Sequence, residues 1–87
     1  MVKKTFELML ENGMHARPAG LLVKTIGRLN VTVTLSANGK SVNGKSIMAI
    51  MSASFKHGVK IDITCEGDDA DKAMTAIEDL FAVNFNE

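Results

Sequence analysis

The chain opens on an alternation. Val2, Lys4, Phe6, Leu8 and Leu10 fall on one side, and Lys3, Thr5, Glu7 and Met9 on the other. The first set is mostly apolar, which predicts a half-buried strand over residues 2–10. Glu11-Asn12-Gly13 breaks it, Asn-Gly being a strong turn signal. Residues 16–27 change to helical spacing. Ala19, Leu22, Val23 and Ile26 form an i, i+3, i+4, i+7 stripe, and Ala16 and Gly20 allow close packing beside it. Pro18 fits such a helix only in its first turn, where the missing N–H has no intrahelical partner, so the helix starts at residue 15 or 16. Gly27 either stops the helix or mildly weakens its end.

The alternation returns at 31–37, with Val31, Val33 and Leu35 against Thr32, Thr34 and Ser36. The β-branched content favours a strand. Asn38-Gly39 is a hairpin signal, Lys40-Ser41-Val42 the short return strand, and Asn43-Gly44 a further turn. Ser46 can cap a short helix over 47–53, although helix and strand both fit that stretch. Residues 59–65 set Val59, Ile61, Ile63 and Cys65 against Lys60, Asp62, Thr64 and Glu66, and Gly67 ends the strand. A last helix covers 70–83, capped by Asp68 or Asp69, with Asp71 at its favourable end. Ala70, Ala73, Met74, Ile77, Leu80 and Phe81 face the core.

The order is β-α-β-β-α-β-α. Each strand has one apolar face, so helices are expected on one face of the sheet and water on the other, which suits an antiparallel or mixed sheet. An α+β open-faced sandwich follows. With 87 residues, 1–87 is expected to be a single small domain, without linker, repeat or low-complexity tract.

Composition narrows the function. Cys65 is the only cysteine, which excludes a disulfide scaffold, and a reducing, cytoplasmic compartment is the simplest expectation. Its place on the apolar side of a strand reads as packing rather than chemistry. No apolar stretch approaches the roughly 20 residues that span a membrane, and no h-region follows the two lysines at the start. Ten basic and ten acidic side chains cancel, but unevenly along the chain. Residues 1–60 hold nine bases and two acids; residues 61–87 hold one base and eight acids. Either the two segments interleave in space, or one face is basic and suits a phosphate or an acidic partner. Scattered bases and only four phenylalanines give no platform for nucleic acid.

The chemistry concentrates at Gly13-Met14-His15-Ala16-Arg17-Pro18-Ala19. His15 sits at a helix start, where free N–H groups and the helix dipole favour an anion. Arg17 can form charge-assisted bonds to phosphate oxygens. A neutral imidazole is a usable nucleophile near pH 7. The alternative is a histidine that merely caps the helix. His57 stands alone in Phe55-Lys56-His57-Gly58. One cysteine and two histidines do not suggest a structural zinc site, and no phosphate loop, calcium loop or nucleophile elbow is present, so no metal or cofactor is expected. In Lys45-Ser46-Ile47-Met48-Ala49-Ile50-Met51, Ser46 reads as a cap. Met48 and Met51 read either as core or as an exposed, adaptable patch.

From Lys3 to Phe81 the chain resembles the HPr family, the histidine-containing phosphocarriers of the bacterial phosphoenolpyruvate:sugar phosphotransferase system. The motif around His15 and the pair Asn38-Gly39-Lys40 and Lys45-Ser46-Ile47-Met48 carry the likeness. The resemblance implies a four-stranded antiparallel sheet with three helices on one face. It implies a phosphoryl carrier, not an enzyme: His15 takes the group on Nδ1 from enzyme I, Arg17 assists, and the group passes to sugar-specific IIA domains. Asn12 matches a position whose side chain often helps hold the loop. Ser46 matches a serine that an HPr kinase/phosphorylase modifies in many low-GC Gram-positive bacteria, with a catabolite-control transcription factor as a further partner. Ile47, Met48 and Met51 match the apolar patch that docks partners. A monomer that neither inserts in membranes nor binds nucleic acid is expected. Two positions depart from the family pattern, Ser54 where glycine is common and Ala49 where some branches carry lysine or glycine. The rival reading is a purely regulatory binding module that docks through the Ser46 patch; retention of the histidine argues against it.

Overall fold

A computed structural model describes all of residues 1–87. The elements are β1 (Val2–Glu7), α1 (Ala16–Ile26), β2 (Thr32–Ala37), β3 (Lys40–Asn43), α2 (Ile47–Ser52), β4 (Lys60–Glu66) and α3 (Ala70–Ala82), followed by a 3-10 turn at Asn84–Asn86. The strands form one antiparallel sheet in the order β1-β4-β2-β3. This is the open-faced α+β sandwich that the alternations predict.

Register explains both faces. Val33, Leu35, Ile61, Ile63 and Cys65 are buried under the helices. Leu22 and Ile26 of α1, Ile50 of α2, and Ala73, Met74 and Ile77 of α3 complete the core. On the other face the strands carry hydroxyls and charges. Thr5 donates to Asp62 at 2.5 Å, and the Ser36 and Ser41 hydroxyls lie 2.8 Å apart. The Asn38-Gly39 turn has φ of 53° and 79°, the left-handed pair that a two-residue hairpin needs. The opposed charge halves interleave: β4 lies between β1 and β2, and Lys4 pairs with Glu78 of α3.

Several local expectations change. The first strand stops at Glu7 rather than residue 10, because Glu7 faces Lys60, where β4 begins. Leu8 still exchanges hydrogen bonds with the Gly58-Val59 turn, at 2.8 and 2.7 Å, and then Leu8 and Leu10 turn into the core. Residues 47–52 are helix, not strand. The Ser46 hydroxyl accepts the Ala49 N–H at 3.2 Å, and the helix buries Ile50 while turning Ile47, Met48 and Met51 outward. Gly27 ends α1 in a right-handed conformation. Asp69 occupies the first cap position of α3 but makes no side-chain cap bond. Its carboxylate accepts the Asn30 N–H at 2.7 Å, while Asp68 accepts from the Asn30 amide at 3.1 Å. The two acids therefore tie α3 to the start of β2.

Candidate functional site

The segment before α1 is held by backbone. Gly13 has φ of +71°, and a Cβ there would lie 2.4 Å from the Phe55 carbonyl oxygen. Only glycine fits that close approach without a shift. Its N–H donates to Leu10 O at 2.9 Å, and the next N–H, of Met14, donates to Phe55 O at 2.9 Å. The Met14 side chain is buried. The loop is thus pinned from both sides, and the Asn12 side chain takes no part in a hydrogen bond that would hold it. Backbone bonds do that work here, and Asn12 lines a cavity instead.

His15 follows directly. It caps α1 with extended backbone, φ −83° and ψ −173°, and its carbonyl accepts the Ala19 N–H at 3.0 Å. Its imidazole makes no cap bond. The N–H groups of Ala16 and Arg17 have no backbone acceptor, and Pro18 has none to offer. The helix therefore opens on two free donors beside a half-exposed imidazole, with the Arg17 guanidinium standing out in solvent. Donors, dipole and guanidinium all favour a dianionic group at this point.

One residue closes the site that sequence reasoning did not anticipate. Glu87 Oε1 lies 3.3 Å from His15 Nε2, and Oε2 lies 3.5 Å from Arg17 Nε. The carboxylate bridges the two residues that the motif predicts. It arrives there through three consecutive left-handed residues, Asn84, Phe85 and Asn86, with φ of 49°, 54° and 60°. Phe85 anchors the turn: it is buried, and its ring meets Phe81 edge-on at 4.9 Å, while Phe81 stacks on Phe6 at 4.4 Å. The two asparagines were the available sequence signal, since Asn tolerates left-handed backbone. Nothing in the pattern says where the following glutamate lands.

His57 is exposed and makes no hydrogen bond or ion pair with His15 or Arg17. It lines a cavity of about 480 Å³ with Met9, Glu11, Asn12, Asn84 and Glu87. No group of side chains in the chain is arranged to hold a metal ion. Ser46 sits at the start of α2, its hydroxyl occupied by the Ala49 N–H. Ile47, Met48 and Met51 form an exposed apolar patch beside it. No hydrogen bond or ion pair joins this second site to His15; the two are related through the packing of α1 on α2.

The model of a family described as the PTS HPr component phosphorylation site matches residues 2–83. The chain belongs to the HPr family. Three solved structures show the same fold. HPr-C-His of Thermoanaerobacter tengcongensis is 38% identical with a TM-score of 0.94, over 100% of this chain and 98% of its own. The histidine-containing phosphocarrier protein of a mycoplasma is 36% identical with a TM-score of 0.90, over 95% and 96%. A phosphocarrier protein HPr from Bacillus anthracis is 44% identical with a TM-score of 0.80, over 86% and 89%. This HPr-family chain is accordingly a phosphocarrier of the phosphotransferase system, not an enzyme. It accepts a phosphoryl group from enzyme I and passes it to IIA domains. No helix is long and apolar enough to cross a membrane.

Proposed function

We propose that His15 is the phosphoryl acceptor and Arg17 its assisting cation, and that residues 1–87 act as one monomeric, cytoplasmic carrier domain. The observation that carries this reading is the α1 start: a half-exposed imidazole beside two unpartnered N–H groups and an exposed guanidinium. Glu87 lies against Nε2, so Nδ1 is the ring nitrogen without a partner in the chain. The Nδ1 lone pair attacks the phosphorus held on enzyme I, an N–P bond forms, and the bond from phosphorus to the donor breaks with its electron pair returning to the donor. The phosphoryl oxygens then take the Ala16 and Arg17 N–H groups and the guanidinium as donors, and Glu87 moves aside. The reverse step delivers the group to a IIA domain.

Ile47, Met48 and Met51 dock enzyme I and IIA domains in this reading; their exposure as one apolar patch supports it. Ser46 is a regulatory phosphorylation site for an HPr kinase/phosphorylase, and the phosphorylated chain binds a catabolite-control transcription factor. Ser46 is only half-buried, so its hydroxyl needs no more than release of the Ala49 N–H to react.

The test is incubation with enzyme I and phosphoenolpyruvate, read by intact mass. One phosphoryl group is expected, lost in acid, stable in base, and transferable to an added IIA domain. A phosphate that survives acid places the group on a hydroxyl and overturns the assignment to histidine.

A further inference from the structure

The six methionines divide into two populations. Met14 and Met74 are buried, at 4% and 2% exposure. Met1, Met9, Met48 and Met51 are exposed, and of these Met48 and Met51 stand one helical turn apart in the patch with Ile47. Met48 is 81% exposed and Met51 43%. A thioether at that exposure meets solvent oxidants directly, while those of Met14 and Met74 are screened by the core. The single thiol does not compete: Cys65 is fully buried, and burial raises its pKa, which disfavours the reactive thiolate.

We propose that Met48 and Met51 are oxidation sites through which hydrogen peroxide lowers phosphoryl transfer by spoiling the docking patch. The proposal rests on the reading of that patch as the docking surface. In the chemical step, a lone pair on the thioether sulfur attacks one peroxide oxygen. The O–O bond breaks, an S–O bond forms, and the second oxygen leaves as water. Sulfur is oxidised by two electrons and the peroxide reduced by two. The product carries a strong dipole in place of a soft apolar contact. Docking must then bury a polar S–O group, which costs free energy unless a donor meets it. Nothing in the core changes, because none of the four exposed sulfurs packs in it. The change is reversible, since sulfoxide reductases restore the thioether.

The experiment treats the purified chain with hydrogen peroxide, removes the peroxide with catalase, and only then adds enzyme I and phosphoenolpyruvate. Peptide mapping is expected to find oxygen on Met1, Met9, Met48 and Met51 before Met14 or Met74, with Cys65 unchanged. The initial transfer rate below saturation should fall roughly tenfold, the unfolding temperature should stay put, and methionine sulfoxide reductase should restore the rate. Each variant is then compared with its own untreated sample. M48L/M51L should lose no rate on treatment, and M1L/M9L should lose as much as the parent chain. An unchanged rate with Met48 and Met51 fully oxidised overturns the proposal, as does an equal loss in M48L/M51L. Failure of the untreated chain to take a phosphoryl group overturns the carrier assignment instead, so the two failures are distinct.

Discussion

Glu87 places a negative charge beside the imidazole that takes the phosphoryl group, on its Nε2 side. Its carboxylate is 3.3 Å from His15 Nε2 and 3.5 Å from Arg17 Nε. Phosphorylation brings about 1.5 to 2 further negative charges to the same imidazole. At a separation of about 5 Å in a water-like dielectric, the repulsion is about 0.8 kcal/mol per unit charge, or about 1.2–1.7 kcal/mol in total. The Arg17 side chain is 79% exposed, so solvent and salt reduce that to about 0.5–1 kcal/mol. Glu87→Gln keeps the shape and removes the charge. It also frees Arg17 from a competing partner, which acts in the same direction. The phosphorylated form of E87Q should therefore be favoured by about two- to fivefold over that of the parent chain. The assay is a partition. Equal amounts of the two proteins, one isotope-labelled to separate the masses, share a limited supply of phosphoenolpyruvate through enzyme I until the ratio is constant. The preference for E87Q should shrink as salt shortens the screening length. Equal partition at low salt would refute the electrostatic reasoning. It would mean that the carboxylate leaves the site at no measurable cost.

Three further outcomes follow from the same geometry. Arg17→Ala should slow transfer from enzyme I by about tenfold, as the loss of a charge-assisted bond implies, while thermal unfolding barely moves because the side chain is exposed; equal transfer rates would leave the backbone N–H groups as the whole phosphate site. Ser46→Asp should keep its unfolding temperature, since a helix start tolerates negative charge, yet lose initial transfer rate measured against carrier concentration, and recover part of it at high salt; a parental rate at low salt would leave Ser46 as a helix cap only. Ser54→Gly should raise stability by about 1 kcal/mol, about 4–8 °C in unfolding temperature, because Ser54 holds φ of 54°; calorimetry showing no gain would mean that the serine is not strained.

Much of the fold was legible because it depends on period. The alternations at Val31–Ala37 and Val59–Cys65 have a single reading, and both became strands whose apolar sides are buried. Where a tertiary partner decides, pattern was insufficient. Residues 8–10 continue the alternation of β1 but lie beyond the start of β4, so Leu8 and Leu10 serve the core without serving a strand. The stretch at 47–52 was ambiguous because six residues are too few for a period to show, and a single capping bond from Ser46 accompanies the helical outcome. The departure at Ser54 gains a physical meaning: its backbone is left-handed, with φ of 54°, a conformation that glycine adopts without steric cost. His15 and Arg17 were legible because they are neighbours in sequence. Glu87 was not, because its contact with His15 spans most of the chain and depends on how Phe85 packs against Phe81.

The central claim is that the transferred group resides on His15. The most direct measurement compares H15A with H57A after incubation with enzyme I and phosphoenolpyruvate, by intact mass. His57 is the fitting control, since it is the only other imidazole and it lines the cavity that Glu87 also borders. H57A should gain one phosphoryl group at the parental rate, and H15A should gain none. Labelling of H15A at the parental rate would contradict the account.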